Sequence, residues 1–231
     1  MVKIFADGAD LTSIEALAKN PQIRGFTTNP TLMKQSGISD YMKFVREVLE
    51  IIEGLPISFE VFSDDFDEMK QQASKLARLG ENVYVKIPVT NTKRKSSAHL
   101  VRELSESGIR VNVTAIFTVP QVEEIVEALR GGADSCVSVF AGRIADAGID
   151  PLPTMCSALK IMAPHRNIEL IWASPREVLN IVQAESIGCH IITVSYDLLK
   201  KMTLVGKDLN DFSVETVTMF YADAQNAGYS I

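Results

Sequence analysis

Short apolar, β-branched runs alternate with longer segments of helical period along the whole chain. That alternation limits the architecture more than any other feature, because repeated βα units build a parallel sheet with helices packed on it. The pattern predicts strands near Val2–Ala6, Gly25–Asn29, Ile57–Phe62, Val83–Ile87, Val111–Ile116, Ser135–Phe140, Glu169–Ala173 and His190–Val194. Between them it predicts helices near Leu11–Ala18, Tyr41–Ile52, Phe66–Leu79, Ala98–Glu106, Gln121–Leu129, Thr154–Met162, Glu177–Ala184 and Leu198–Met202. Gly80, Gly108, Gly131 and Gly188 fall just past helix ends, where a C-terminal glycine can take positive φ. Pro120 and Pro175 sit where helices are expected to start.

Eight βα units in 231 residues are best satisfied by an α/β fold of the closed (β/α)8 barrel type, a TIM barrel forming a single domain over 1–231. A doubly wound open sheet is the alternative. The segment Ser213–Gln225 adds an extra C-terminal helix with Val214, Val217, Phe220, Tyr221 and Ala224 on one stripe. Such a stripe is expected either to cover a neighbouring subunit of a homo-oligomer or to pack on its own barrel.

Composition excludes several function classes. With 23 Lys and Arg against 29 Asp and Glu, the formal charge of −6 disfavours nonspecific nucleic-acid binding or attraction to anionic membranes. The N-terminal "MVKIFADGAD" lacks the apolar run of a signal peptide, and no later stretch approaches a membrane span, so a soluble, cytoplasmic protein is expected. Cys136, Cys156 and Cys189, and likewise His99, His165 and His190, are scattered without metal-ligand spacing. No phosphate-binding glycine motif occurs, and neither metal nor cofactor is expected.

The stretch "ENVYVKIPVT" sets Val83, Val85 and Ile87 on one side of a strand and Tyr84, Lys86 and Pro88 on the other. Carrying the parity of Lys86 to the other strands turns a polar set inward. It comprises Asp7, Thr27 and Asn29, Ser58 and Glu60, Asn112 and Thr114, Ser138 and Phe140 followed by Arg143, and Trp172 and Ser174 followed by Arg176. Active sites of parallel barrels gather at the C-terminal strand edge. A buried ion-pair network of Lys86, Glu60 and Asp7 is the bland alternative, but a network kept for stability alone has no reason to favour that edge. A buried lysine among carboxylates suits Schiff-base formation with a ketone or aldehyde, since the attacking amine must be neutral and burial disfavours charge. The loop "TNTKRK" adds three cations on the same side, read as a solvated run.

"GFTTNPTL", "VYVKIPVT", "VNVTAIFT", "SVFAGRIADAG" and "IWASPRE", in this order, resemble the transaldolase family, especially its short members that include the fructose 6-phosphate aldolases. The resemblance implies that Lys86 forms the Schiff base with a ketose carbonyl. By the same resemblance Asp7 handles protons at the sugar hydroxyl, and Glu60 and Thr114 hold a catalytic water. Asn29, with Thr27 beside it, and Ser138 would contact the bound dihydroxyacetone unit, while Arg143, Ser174 and Arg176 would receive the sugar phosphate. Aldolase members carry glutamine and tyrosine where this chain has Glu60 and Phe140, which places it with the transferases. The proline between Ser174 and Arg176 departs from the larger transaldolases, which have an aromatic residue there.

The implied partners are small anionic sugars. The implied activity is transfer of a dihydroxyacetone unit from fructose 6-phosphate or sedoheptulose 7-phosphate to an aldose phosphate. Release of free dihydroxyacetone, action on 6-deoxy-6-sulfofructose, and a non-catalytic barrel scaffold are the competing readings.

Overall fold

In the computed structural model, which describes residues 1–229, eight parallel strands close into a barrel in chain order, with β1 hydrogen-bonded to both β2 and β8. The strands are β1 Lys3–Asp7, β2 Ile23–Thr27, β3 Ile57–Glu60, β4 Val83–Pro88, β5 Val111–Ile116, β6 Ser135–Val139, β7 Ile168–Trp172 and β8 Ile191–Ser195. The helices run α1 Leu11–Ala18, α2 Pro30–Gln35, α3 Tyr41–Ile51, α4 Phe66–Ala77, α5 Ala98–Glu106, α6 Val119–Leu129, α7 Ala141–Asp146, α8 Leu152–Met162, α9 Leu179–Ser186, α10 Tyr196–Lys201 and α11 Leu209–Asn226. The closed barrel with a further C-terminal helix is therefore the fold, and the open sheet is ruled out by the β1–β8 pairing.

Local chemistry explains where the helices begin. Asp10, Asp40, Asp65 and Asp208 accept backbone N–H bonds at the starts of α1, α3, α4 and α11, and Thr118 closes a capping box with Gln121. Pro120 lies in the first turn of α6 as expected, whereas Pro175 sits in the loop four residues before α9. Positive φ at Gly108, Gly131 and Gly188 follows α5, α6 and α9; Gly80 after α4 does not take it. Two helices of six residues, α2 and α7, were not expected, because six residues hold too little of a 3.6-residue period to register as one.

The larger apolar layer lies between strands and helices, where Val85, Ile87, Val111, Val113, Val137 and Leu170 are fully buried. Inside the barrel, Phe5, Cys136, Ile171, Ala173 and Ile191 pack together with Tyr84 and Phe140 against them. Gly25 sits opposite Phe5 in register, and a Cβ there would lie 2.5 Å from the phenyl ring. The missing side chain makes room for that ring. One expectation is corrected here: on β7 it is Ile171 and Ala173 that join the interior cluster, while Trp172 turns to the helix side, fully buried, its indole N–H without a partner among the described residues.

The chain divides into two compact units, Met1–Leu199 and a second beginning at Lys200. The second contains the end of α10, a 3-10 turn over Met202–Leu204, and α11. No residue of α11 is buried, and Val214, Val217, Phe220 and Tyr221 are all well exposed. The domain expected over 1–231 includes Ser230 and Ile231, which lie outside the described residues.

Candidate active site

Strand β4 places Lys86 between Glu60 on β3 and Asn112 on β5 in register, with Val85 and Ile87 buried on the helix side. At the C-terminal mouth of the barrel opens a cavity of about 520 Å³. Its walls carry Asp7, Thr27, Asn29, Glu60, Lys86, Thr114, Ser138, Phe140, Arg143 and Ser174. Every candidate except Arg176 is thus in one chamber. A wider groove of about 700 Å³ at the opposite end of β4, lined by Gly80, Glu81, Val83 and Arg110 among others, gathers no buried lysine or carboxylate.

Lys86 Nζ donates to the carbonyl oxygen of Thr28. Among the described residues no ion pair joins it to either nearby carboxylate, although it attracts both electrostatically. Asp7 accepts from Thr27 Oγ1 at 2.6 Å, and Asn29 Nδ2 stands 3.4 Å from its other oxygen. Burial pushes the Asp7 carboxyl above the ordinary carboxylate range, against the pull of Lys86 and Thr27. Glu60 is only 6 % exposed, takes a 2.9 Å bond from Thr28 Oγ1 on Oε2, and leaves Oε1 buried with no partner among the described residues. Burial raises its proton affinity as well, more than Lys86 and Thr28 lower it. Two acids poised to hold protons beside an amine can supply and remove them during chemistry at that amine.

The surrounding groups are held from several elements. Asn29 caps α2, accepting from Leu32 N at 3.0 Å while its amide reaches Asp7, so the helix start fixes its orientation. Ser138 donates to Asn112 Oδ1 at 2.7 Å, and Asn112 donates in turn to Ser58 Oγ at 3.0 Å, a buried polar ladder beneath the cavity floor. Thr114 precedes Ala115, whose φ of +58° accompanies a slip in the β5–β6 register. Ser174 reaches the cavity despite the shifted parity of β7 because its own φ is +61°. Left-handed backbone at non-glycine residues is strained and collects at functional sites.

Phe140 continues the wall from β6, with Phe117 at 5.7 Å between ring centroids and the Arg143 guanidinium 5.4 Å from its own. Arg143 therefore lines the cavity from the first turns of α7. Arg176 does not line it. Its Nε donates to Asp146 Oδ1 at 3.1 Å and its Nη2 to Oδ2, an ion pair about half exposed. The intended pairing of the two arginines around one anion is thus divided: one guanidinium faces the chamber, the other faces a carboxylate of α7.

Sequence reading missed Thr28, Thr193 and the α2 residues Thr31, Leu32 and Gln35. Thr193 lines the cavity from β8, its hydroxyl against that of Thr27. Extending the inward parity to β8 would have found it. The Asn29–Pro30 pair was a readable start for α2, since proline is tolerated at the first helical position. Among the described residues, no cluster of three or more His, Cys, Asp or Glu stands close enough to hold a metal ion, and no helix is long and apolar enough to cross a membrane.

The state of Glu60 carries a stability consequence. A carboxyl whose proton is held more tightly in the folded than in the unfolded chain contributes stability at low pH. That contribution is lost as pH rises from the ordinary glutamate value through the raised folded one. Glu60→Gln removes the ionisable group from this buried site. The variant should therefore melt close to the unsubstituted protein near pH 4 and several degrees above it at pH 7, read by thermal unfolding across that range. A constant difference would show that Glu60 ionises as easily in the barrel as in water.

The chain matches a family model described as transaldolase/fructose-6-phosphate aldolase over residues 4–231. It is 37% identical over 231 residues, all of both chains, to a protein named "Probable transaldolase" from Thermoanaerobacter sp. (strain X514). Proteins of the same name from Clostridium acetobutylicum and Methanococcus maripaludis (strain C7) are each 34% identical, covering 97% and 93% of this chain and 100% and 94% of their own. With strand-end residues of this kind on a closed barrel and relatives matched from end to end, this chain belongs to the transaldolase/fructose-6-phosphate aldolase family.

Proposed function

We propose that the protein is a transaldolase that moves a dihydroxyacetone unit from a ketose phosphate, such as fructose 6-phosphate or sedoheptulose 7-phosphate, to an aldose phosphate through a Schiff base on Lys86. The observation that carries this reading is a half-buried Lys86 whose amine rests on a backbone carbonyl, with the carboxyls of Asp7 and Glu60 in the same chamber and an ion pair to neither among the described residues. An amine locked into a stabilising ion pair would be unsuited to attack. This one needs only to leave a carbonyl oxygen.

In this mechanism the amine adds to the ketose C2 carbonyl, and the carbinolamine hydroxyl leaves as water with a proton that Glu60 supplies through a water beside Thr114. Asp7 then takes the proton of the C4 hydroxyl as the C3–C4 bond breaks, its electron pair flowing into the iminium to form an enamine. The aldose fragment departs, an acceptor aldehyde enters, and the same steps run backward with Asp7 returning the proton. Asn29 and Ser138 hold the three-carbon unit, and Arg143 and Ser174 receive the anion at the far end of the chamber. Phe140 favours transfer over release, because a phenyl ring has no hydroxyl with which to protonate the enamine carbon. The names of the relatives agree with that choice.

Borohydride reduction in the presence of fructose 6-phosphate, followed by peptide mass analysis, should fix a three-carbon or six-carbon adduct on Lys86. No adduct with any ketose tested would remove the Schiff-base mechanism and leave the scaffold reading. A panel of fructose 6-phosphate, sedoheptulose 7-phosphate and 6-deoxy-6-sulfofructose, scored for transfer and for free dihydroxyacetone, separates transferase from aldolase and phosphate from sulfonate. Arg143→Ala should raise KM for the phosphorylated donor by about tenfold or more while leaving that for dihydroxyacetone nearly unchanged. Arg176→Ala should have the smaller effect, since Asp146 already engages that guanidinium outside the chamber wall. The reverse order would place the anion at Arg176.

The exposed stripe of α11 also supports a homo-oligomer in which that helix is covered by a neighbouring subunit. Deleting residues 213–231 should lower the mass measured by light scattering. An unchanged assembly would sink the idea.

A further inference from the structure

Thr28 follows the last residue of β2, is fully buried, and forms no part of the cavity wall. It nevertheless touches both reacting groups of the chamber. Its carbonyl oxygen accepts from Lys86 Nζ, and its hydroxyl lies 2.9 Å from Glu60 Oε2. The hydroxyl is also 3.1 Å from the carbonyl of Ser58, and the Thr28 N–H donates to that same carbonyl at 3.3 Å. A threonine hydroxyl has a single hydrogen, and the carbonyl of Ser58 already accepts from the Thr28 N–H, which leaves that hydrogen to Glu60. With Oε1 unpartnered, that hydrogen is the only one another residue gives the Glu60 side chain among the described residues.

We propose that Thr28 is a positioning residue that sets Lys86 and Glu60 relative to one another, its backbone carbonyl seating the amine and its hydroxyl seating the carboxyl group. The proposal rests on the reading of Lys86 as the Schiff-base residue and Glu60 as the group that moves the proton. During dehydration of the carbinolamine, the nitrogen lone pair forms the C=N bond as the C–O bond breaks, and the departing hydroxide takes the Glu60 proton. A carboxyl free to swing in its pocket delivers that proton less often, although the substrate binds as before. One residue just past β2 thereby couples an acid on β3, through its hydroxyl, to an amine on β4, through its backbone carbonyl. Neither would otherwise hold the other in place, because no ion pair joins them.

Thr28→Val keeps the shape and loses the hydroxyl, Thr28→Ser keeps the hydroxyl and loses a methyl, and Thr28→Ala loses both. In the full-length protein, with fructose 6-phosphate as donor and erythrose 4-phosphate as acceptor, Thr28→Val should lower kcat about 10- to 100-fold with donor KM within about twofold. The rate of borohydride trapping on Lys86 should fall by the same factor. Thr28→Ser should keep both rates within about threefold of the unsubstituted protein. Should Thr28→Val be too unstable to assay, Thr28→Ala compared with Thr28→Ser gives the same ordering. Equal or better performance of Thr28→Val than Thr28→Ser, or of Thr28→Ala than Thr28→Ser, would mean that packing is the role of Thr28 and would overturn the proposal. An unsubstituted protein that traps no adduct would overturn the Schiff-base reading itself, and this proposal with it.

Discussion

Lys86→Met should lower kcat by about four orders of magnitude or more and leave nothing for borohydride to fix, while the chain still folds. Methionine is unbranched, close to lysine in length and apolar, so it fills the same channel between Glu60 and Asn112 without a charge to desolvate. The expected loss is chemical rather than structural, because among the described residues no other lysine lines the chamber. The two carboxyls should respond as well. Lys86 is the attraction that opposes burial at both Asp7 and Glu60, so without it each should hold its proton more tightly still. Kinetics, trapping and thermal unfolding on one preparation decide the matter. Residual turnover within a factor of about ten of the unsubstituted protein would show that the chemistry does not pass through this amine.

The second large effect is expected from a residue with no side chain. A Cβ on Gly142 would lie 1.5 Å from the carbonyl oxygen of Ser174 and 2.6 Å from its carbon. The overlap is with backbone, so no rotamer relieves it, and either α7 or the β7–α9 loop must move. Gly142 N also donates to Ala173 O at 3.3 Å, which ties the start of α7 to the end of β7. Gly142→Ala should therefore displace Arg143 and Ser174 together. The expected result is a KM for the sugar phosphate raised by at least about tenfold, with folding stability reduced by roughly 3 kcal/mol. Lys86 lies on a different strand and should still be trapped by borohydride with dihydroxyacetone. Unchanged KM and melting temperature would mean that this contact is not needed to form the anion end of the chamber.

Both variants test the proposed arrangement from opposite sides, the amine assigned to the chemistry and the arginine assigned to the anion. Tight binding at the far end is useful to catalysis only if it presents the ketose carbonyl to Lys86, so misplacing Arg143 should also reduce kcat modestly for phosphorylated donors. It should not do so for dihydroxyacetone, which has no anion to misplace.

Much of this protein follows from local patterning. The period-two alternation around Lys86 decides which side chains of a strand face one another, and that rule correctly turned Asp7, Thr27, Asn29, Glu60, Thr114 and Ser138 toward one interior. The count of βα units set the architecture, and the runs of helical period placed most of the expected helix starts within two residues of those found. What local patterning left open was everything decided by closure and register. Ile171 rather than Trp172 faces inward because the regular pleat of β7 is offset by one residue from the apolar pattern, and with both faces buried composition does not choose between them. Ser174 returns to the cavity only through its left-handed backbone, a conformation that no residue type there announces. Arg176 meets Asp146 and Lys86 meets the carbonyl of Thr28 because a closed, sheared sheet brings together residues 30 and 58 positions apart. Side-chain alternation, a property of each strand alone, was enough to gather most of the polar groups of the chamber, but not to exclude Arg176 or to bring in Ser174. Which of them touch was decided by the tertiary structure, because hydrogen-bond partners depend on how eight strands are staggered around the ring.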